Sequence, residues 1–427
     1  MGLLSKLFAR KPTPSLPAAP SPASDPRALF RAHVEAVLGR EPGVDRVAPH
    51  REHAGLVVEH GGQEHVLFLD NLFAETRELS PEERDAAIRH FLAAMLSGSE
   101  VDSEDWEEAA PRLLPVLRPA SYGVSLEVPE PGRELLARPA LDGLIEALVV
   151  DLPRSVAYTQ RRHLEAWAVE GPRAFEVARR NLERLRDVGI ELYEQRPSPL
   201  WHVASGDTHE SSRLLLPGFL ASFAGRVEGR PLAIVPERAT LLIGGDARPE
   251  TVRRLCEMAE REYTASSRSI SPAVYTVDAA GRLVPYLRAG DDALAQRVRT
   301  GHAQLALAEY AAQKATLEKQ LAKREVDLFV ASFKVLERKS DGRPVSYCVW
   351  PEHVHGLLPR AELVAMTPQG EKLRFVPWSA VQQLAAASLE PVPGLWPPRF
   401  RIRAWPPPDV LAQLLARAVA LEDYAGE

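Results

Sequence analysis

Residues 232–287 read LAIVPERATLLIGGDARPETVRRLCEMAEREYTASSRSISPAVYTVDAAGRLVPYL, and this stretch decides the fold class. Leu232–Val235 and Ala239–Ile243 are predicted strands. A helix is expected from Pro249 to Tyr263, with Pro at its start, where a missing N–H costs nothing. AVYTVDAAGRLVPYL then reads as a hairpin. Upstream, Leu148–Leu152 is a short strand, and Pro172–Asp187 is an amphipathic helix with Phe175, Ala178, Leu182 and Leu185 in one stripe. Pro199–Ala204 reads as a strand and Ser211–Ala224 as a helix. Helices and strands mix without a regular strand–helix–strand repeat, so the expected class is α+β, with this core spanning 137–288.

Several segments of the core also carry motifs. DLPRSVAYTQRRHLEAWAVEGPRAFEVARRNLERL leads from a strand into a helix ending in Asn181, Leu182 and Leu185. GDTHESSRLLL places Asp207 four spacer residues before Ser212 and Arg213. Val235–Pro236 and an Asp246 closing the next strand follow in order. Together these resemble the YtpQ-like family of bacterial proteins over roughly residues 140–288, and more weakly over 26–118. The resemblance implies an α+β core and brings neither an established activity nor catalytic residues. One departure is Arg238–Ala239, where the family commonly has Arg-Asp. Asp207, Ser212, Arg213 and Asp246 are the candidate binding residues. The competing reading of Asp207 and Arg213 is structural: six residues apart across a loop-to-helix junction, they suit a salt bridge or a helix-start cap.

Outside the core, residues 1–26 form a tail and a Pro/Ala/Ser linker whose composition predicts disorder. MGLLSKLFARKP lacks a proper signal-peptide core, and residues 1–11 offer at most weak contact with a membrane surface. Residues 27–120 read as an N-terminal helix–hairpin–helix module. Asp25 is its first cap, Gly39 the helix stop and Gly61–Gly62 the hairpin turn; Ser80, Pro81 and Glu83 open a second helix. That helix is expected to face inward with Ala87, Ile88, Phe91, Leu92 and Met95. A long helix is predicted over 289–325, with Leu294, Val298, Leu305, Ala308, Ala312, Ala315 and Leu321 on an approximate stripe, bridging to the next domain. Residues 326–427 predict a small C-terminal α+β domain. Its strands DLFVASFKVLER and PVSYCVWPE meet at a turn over 340–343, RFRIRAW is a further strand, and a final helix is capped by Asp409.

Composition narrows function by exclusion. A 427-residue chain with 45% hydrophobic and 26% charged residues is long enough for several domains. A net charge of −6 argues against dedicated nucleic-acid binding. Cys256 and Cys348 are the only cysteines, so a reducing, cytoplasmic setting is expected. His50, His53, His60 and His65 cluster without a completing ligand. Cys348, His353 and His355 are spaced for a Cys–His pair, yet Cys348 sits in an apolar strand. No nucleophile elbow, phosphate-binding glycine loop or dinucleotide fingerprint is present. Arg161–Arg162–His163 and Arg179–Arg180 interleave with Glu165, Glu170, Glu176 and Glu183 and read as a paired, solvated face. No cofactor or metal is expected. The sequence favours a non-catalytic module that binds another protein or a small ligand. The alternative is a hydrolase or nucleotide-handling enzyme built around Asp207, Arg213 and Asp246.

Overall fold

The computed structural model describes residues 25–49, 55–60, 63–97, 105–122, 134–152, 155–196, 198–207, 209–368, 372–424 and 426. The fold is α+β, in two compact units divided between Ser99 and Glu100. The tail and most of the linker lie outside the described residues.

The first unit contains α1 (Pro26–Leu38), β1 (Val44–Pro49), β2 (Gly55–His60), β3 (Gln63–Phe68), α2 (Asp70–Thr76) and α3 (Pro81–Ser97). The expected hairpin is β2–β3, and β1 extends it to an antiparallel three-stranded sheet. Asp25 caps α1 by accepting from the Arg27 N–H. Ser80 and Glu83 form a reciprocal capping box, each side chain on the other's backbone N–H. Phe30, Val34, Leu56, Leu67, Ile88 and Leu92 share one apolar core.

The second unit opens with α4 (Trp106–Ala109), β4 (Leu113–Pro119), β5 (Ala137–Leu141), β6 (Leu144–Leu152), β7 (Ser155–Tyr158), α5 (Arg161–Ala166) and α6 (Gly171–Glu183). The expected module boundary at residue 120 therefore moves to Ser99, because β4 pairs along the length of β6. Two prolines obscure β4 in the sequence. Leu117 turns its N–H away from β6, to the Ser212 hydroxyl at 3.3 Å, so Pro115 and Pro119, two residues either side, lack only outward donors. β6 is buried along its length except at Asp151. Its one interior charge, Glu146, is fully buried and held by Arg138 at 2.8 Å and by Arg179 at 2.6 Å. Arg180, the other half of that doublet, pairs with Glu176 on the exposed helix face.

Next come β8 (Ile190–Glu194), β9 (Leu200–Val203), β10 (Pro231–Ile234), β11 (Leu241–Gly245), α7 (Pro249–Ala265), β12 (Val274–Val277) and β13 (Leu283–Pro285). The strands form an antiparallel sheet ordered β13-β12-β10-β11-β9-β8. The helix expected over Ser211–Ala224 is instead two 3-10 turns, Ser211–Leu215 and Leu220–Phe223. Pro217 cannot donate inside a helix, and Gly218 adopts φ 69°, so the segment breaks between them. One face of the first sheet packs on Ala174, Phe175 and Ala178 of α6. Its other face shares a core with the two 3-10 turns and the inner face of the second sheet. The second sheet's outer residues Leu232, Ile234 and Leu242 pack on α7. The order is helix, sheet, sheet, helix.

α8 (Ala293–Lys323) follows as a single helix capped by Asp292. The remaining elements are β14 (Phe329–Val330), β15 (Lys334–Glu337), β16 (Pro344–Trp350), β17 (Gly356–Pro359), β18 (Leu363–Met366), β19 (Arg374–Pro377), α9 (Trp378–Leu384), β20 (Leu389–Pro391), β21 (Arg399–Ile402) and α10 (Pro408–Ala416). They form two four-stranded sheets, β14-β17-β21-β20 and β15-β16-β18-β19. The first half of α8 buries Leu294 and Val298 against α7; the second buries Tyr310 and Leu317 in the C-terminal cores. The buried stripe differs from the expected one: Ala312 and Ala315 are exposed, while Glu309, Gln313 and Gln320 are buried. α10 lacks the expected Asp409 cap, since Pro407 occupies the cap position and Asp409 is exposed in the first turn.

Leu182 of α6 is fully buried in the shared core, whereas Arg180 is more than half exposed. Leu182→Ala is expected to cost about 2–5 kcal/mol by chemical denaturation, as buried leucine truncations do. Arg180→Ala should leave the unfolding midpoint in place. Equal shifts would mean that α6 packs through another face.

Candidate functional site

The loop GDTHESSR turns inward. Gly206 adopts φ 67°, letting Asp207 accept from the His209 N–H at 2.9 Å. Arg213 meets Asp207 with two parallel bonds, at 2.7 and 3.2 Å, and its Nε donates to the Leu185 carbonyl at 3.0 Å. Its side chain has 0% exposure, so this guanidinium ties the loop to the chain leaving α6 and offers nothing to solvent. Ser212 is equally buried, its hydroxyl taken by the Leu117 N–H. Glu210 accepts from the Gly206 N–H at 2.8 Å.

Asp246 stands elsewhere. The Ser211 N–H bonds the Arg238 carbonyl before the start of β11, while Asp246 follows the end of that strand. A strand of this length spans roughly 15 Å. Asp246 there accepts from the backbone and side chain of Arg230, at 2.8 and 2.7 Å, and closes the turn before β10. The structure thus brings Asp207, Ser212 and Arg213 together and leaves Asp246 apart.

Cys348 is fully buried in β16, and burial pushes its thiol up to about 12. His353 is largely exposed. His50, His53 and the His65 side chain lie outside the described residues. Among the described residues no group of three or more His, Cys, Asp or Glu is placed to hold a metal ion. No helix among them is long and apolar enough to cross a membrane.

The site that sequence reading missed is a cleft of about 490 Å³ along the middle of α8. That volume lies within the usual range for small-molecule sites. Ala303, Leu305, Ala306 and Tyr310 line it from the helix. The core side contributes the Asp142–Gly143 turn, Pro285 and Leu287, while Arg299 and His302 are further residues of α8. Gly143 adopts φ 77°, and a Cβ there would meet Leu305 at 2.8 Å, so the turn sits directly on the helix. The C-terminal sheets contribute Phe333, Ser346, Arg360, Glu362 and Trp378.

Most polar groups of the cleft are occupied. Tyr310 donates to the Pro398 carbonyl at 2.9 Å and accepts from the Arg360 N–H at 3.1 Å. Glu362 accepts from the Ser346 N–H and hydroxyl at 2.8 and 2.9 Å. His302 sits 3.2 Å from the Tyr286 carbonyl, and burial holds its pKa below the ordinary range, so it is neutral at physiological pH. One cation remains open: Arg360 is exposed and has no carboxylate partner among the described residues. Trp378 is 2% exposed, and its enclosed indole N–H has no hydrogen-bond partner among those residues. Lining apolar and aromatic surface with a few convergent donors suits holding a ligand. A nucleophile beside a free base is not part of this lining.

Compared with protein-family models, curated proteins and solved structures, the chain matches none.

Beneath the cleft, Glu309 of α8 is 5% exposed and accepts from the Ser121 N–H at 2.6 Å. Burial raises its pKa above 4.5, against the opposing pull of the Ser121 bonds. A raised folded pKa means that its contribution is fully present below the unfolded value and lost as pH rises through the folded value. Glu309→Gln keeps an acceptor for Ser121, so the variant is expected to melt above the wild type at pH 7. The gap should close below about pH 4.5. A gap independent of pH would show that ionisation of Glu309 is not its cause.

Proposed function

We propose that this protein is a non-catalytic binding module that holds a small ligand in the cleft along α8. The observation that carries this reading is the lining itself: apolar and aromatic walls, reactive side chains already hydrogen-bonded within the fold, and one cation, Arg360, left open. The enzyme alternative draws no comparable support, because Arg213 and Ser212 are fully buried and Asp246 stands at the other end of β11. Membership of the YtpQ-like family, suggested by the motifs over roughly residues 140–288, and a bacterial cytoplasmic setting belong to the same proposal. Both fit a role without chemistry.

Equilibrium dialysis against a mixture of small metabolites, read by mass spectrometry, tests it. The full chain should retain one or a few compounds, and Ala306→Trp, which fills the cleft from α8, should retain none of them. Identical retention by both proteins, or none by either, would sink the reading.

A further inference from the structure

We infer that the ligand of this cleft is an amphipathic carboxylic acid, its carboxylate at Arg360 and its apolar body along Tyr310, Phe333 and Leu287. This rests on the binding reading above and specifies the ligand class.

Three guanidiniums line the cleft, and two are engaged within the fold. Arg299 bonds Asp291 at 3.1 Å, the Gln296 amide oxygen at 3.1 Å and the Gly290 carbonyl at 2.8 Å. Arg343 lies 3.7 Å from Glu362, whose second oxygen is held by Ser346. Arg360 alone of the three has its charge uncompensated among the described residues. Glu362 is two residues away, but its oxygens face Ser346 and Arg343.

An unpaired cation calls for an anion; an ammonium ion would be repelled by Arg360. The other uncompensated charge, Asp142, lies on the opposite wall at the exposed tip of the β5–β6 turn beside His302. It disfavours a carboxylate there and so orients the acid toward Arg360.

Between the two walls lie Leu305, Ala306, Tyr310 and Phe333, with the Tyr310 and Phe333 rings stacked at 4.8 Å. Leu287 is 64% exposed at the rim, apolar surface that a bound chain would cover. A carboxylate alone would leave this floor wet, whereas an acid with an aliphatic or aromatic body covers it.

Calorimetric titration of the full chain with octanoate, octylammonium and octanol tests the assignment. Octanoate should bind, with the other two at least about tenfold weaker, the scale of one charge-assisted hydrogen bond. Arg360→Gln, a surface change that leaves the core alone, should weaken octanoate by a similar factor without moving the melting temperature. Ala306→Trp should abolish binding. If octylammonium or octanol binds as well as octanoate and Ala306→Trp still abolishes it, the acid assignment is wrong while the cleft reading stands. Binding of none of the three also overturns the acid assignment, and the metabolite dialysis then decides the cleft reading on its own.

Discussion

Asp207→Ala is expected to cost about 3–5 kcal/mol of folding stability, the range for breaking one side of a buried ion pair. The substitution removes little apolar surface; the damage is to Arg213. That guanidinium is fully enclosed and would be left with the Leu185 carbonyl as its one remaining partner in the loop. Replacing both residues, Asp207→Ala with Arg213→Leu, removes the stranded charge and should cost less than Asp207→Ala alone. Burial raises the Asp207 pKa, but the Arg213 hydrogen bond, the His209 N–H and the Arg213 charge outweigh it and hold the carboxyl below 3.8. A lowered folded pKa gives stabilisation that is complete above the unfolded value and lost as pH falls through the folded one. The wild type's advantage over Asp207→Asn should therefore persist down to about pH 4 and shrink below it. Denaturant melts of the two singles and the double, at pH 7 and pH 3, measure all of this. Additive singles would remove the pair from the account of the fold.

Arg399→Leu should be more damaging still. Arg399 is fully buried at the start of β21 and bonds the Ala331 carbonyl at 2.8 Å, the Leu357 carbonyl at 3.2 Å and the Tyr310 carbonyl at 3.3 Å. Its Nε also donates to the Gln313 amide oxygen, whose own nitrogen donates to the Pro397 carbonyl at 2.7 Å. One planar side chain thus joins α8, the loop after β14, β17 and β21. Burial draws its pKa down to about 10, so it remains charged at neutral pH, with no carboxylate among the described residues in ion-pair contact and Glu318 favouring its charge from further away. Leucine removes a donor from three carbonyls and an amide; the Leu357 carbonyl keeps the Ala331 N–H, and each group left unmet costs about 1–3 kcal/mol. The expected outcome is a loss of roughly 5 kcal/mol or failure to fold. Arg399→Lys is expected to rescue little, since one ammonium cannot reproduce the flat fork. Soluble yield and melting temperature across Arg399→Leu and Arg399→Lys give the answer; a lysine variant as stable as the wild type would show that the fork geometry is dispensable.

Much of the fold could be read before the structure. The Ala273–Leu287 hairpin, the helix at Pro249 and the Ser80–Glu83 box each carry their signal within a few residues, and each is present. What sequence reading missed depends on partners distant along the chain. β4 contains two prolines that only an edge position with outward donors makes tolerable. The stripe of α8 runs through Glu309, Gln313 and Gln320, and a reading that sought apolar residues passed over them for exposed alanines. Gln313 is buried because Pro397 and Arg399, more than eighty residues later, complete its hydrogen bonds. The cleft was illegible for the same reason. Its walls come from residues 142–143, 285–287, 299–310, 333–362, 378–382 and 397–398, and no short motif gathers them.

The continuity of α8 also determines how the cleft can behave. Both walls are built on one helix whose only glycine, Gly301, is where the Pro272 carbonyl packs closely, a Cβ there lying 2.7 Å from it. A jaw needs a hinge, and this spine supplies none. The two walls are fixed like facing pages bound to one spine, so a ligand enters a space already made and forfeits little free energy in ordering it. The same binding forbids piecemeal melting: heat or denaturant should take the core and the C-terminal sheets apart in one step, and the cleft with them.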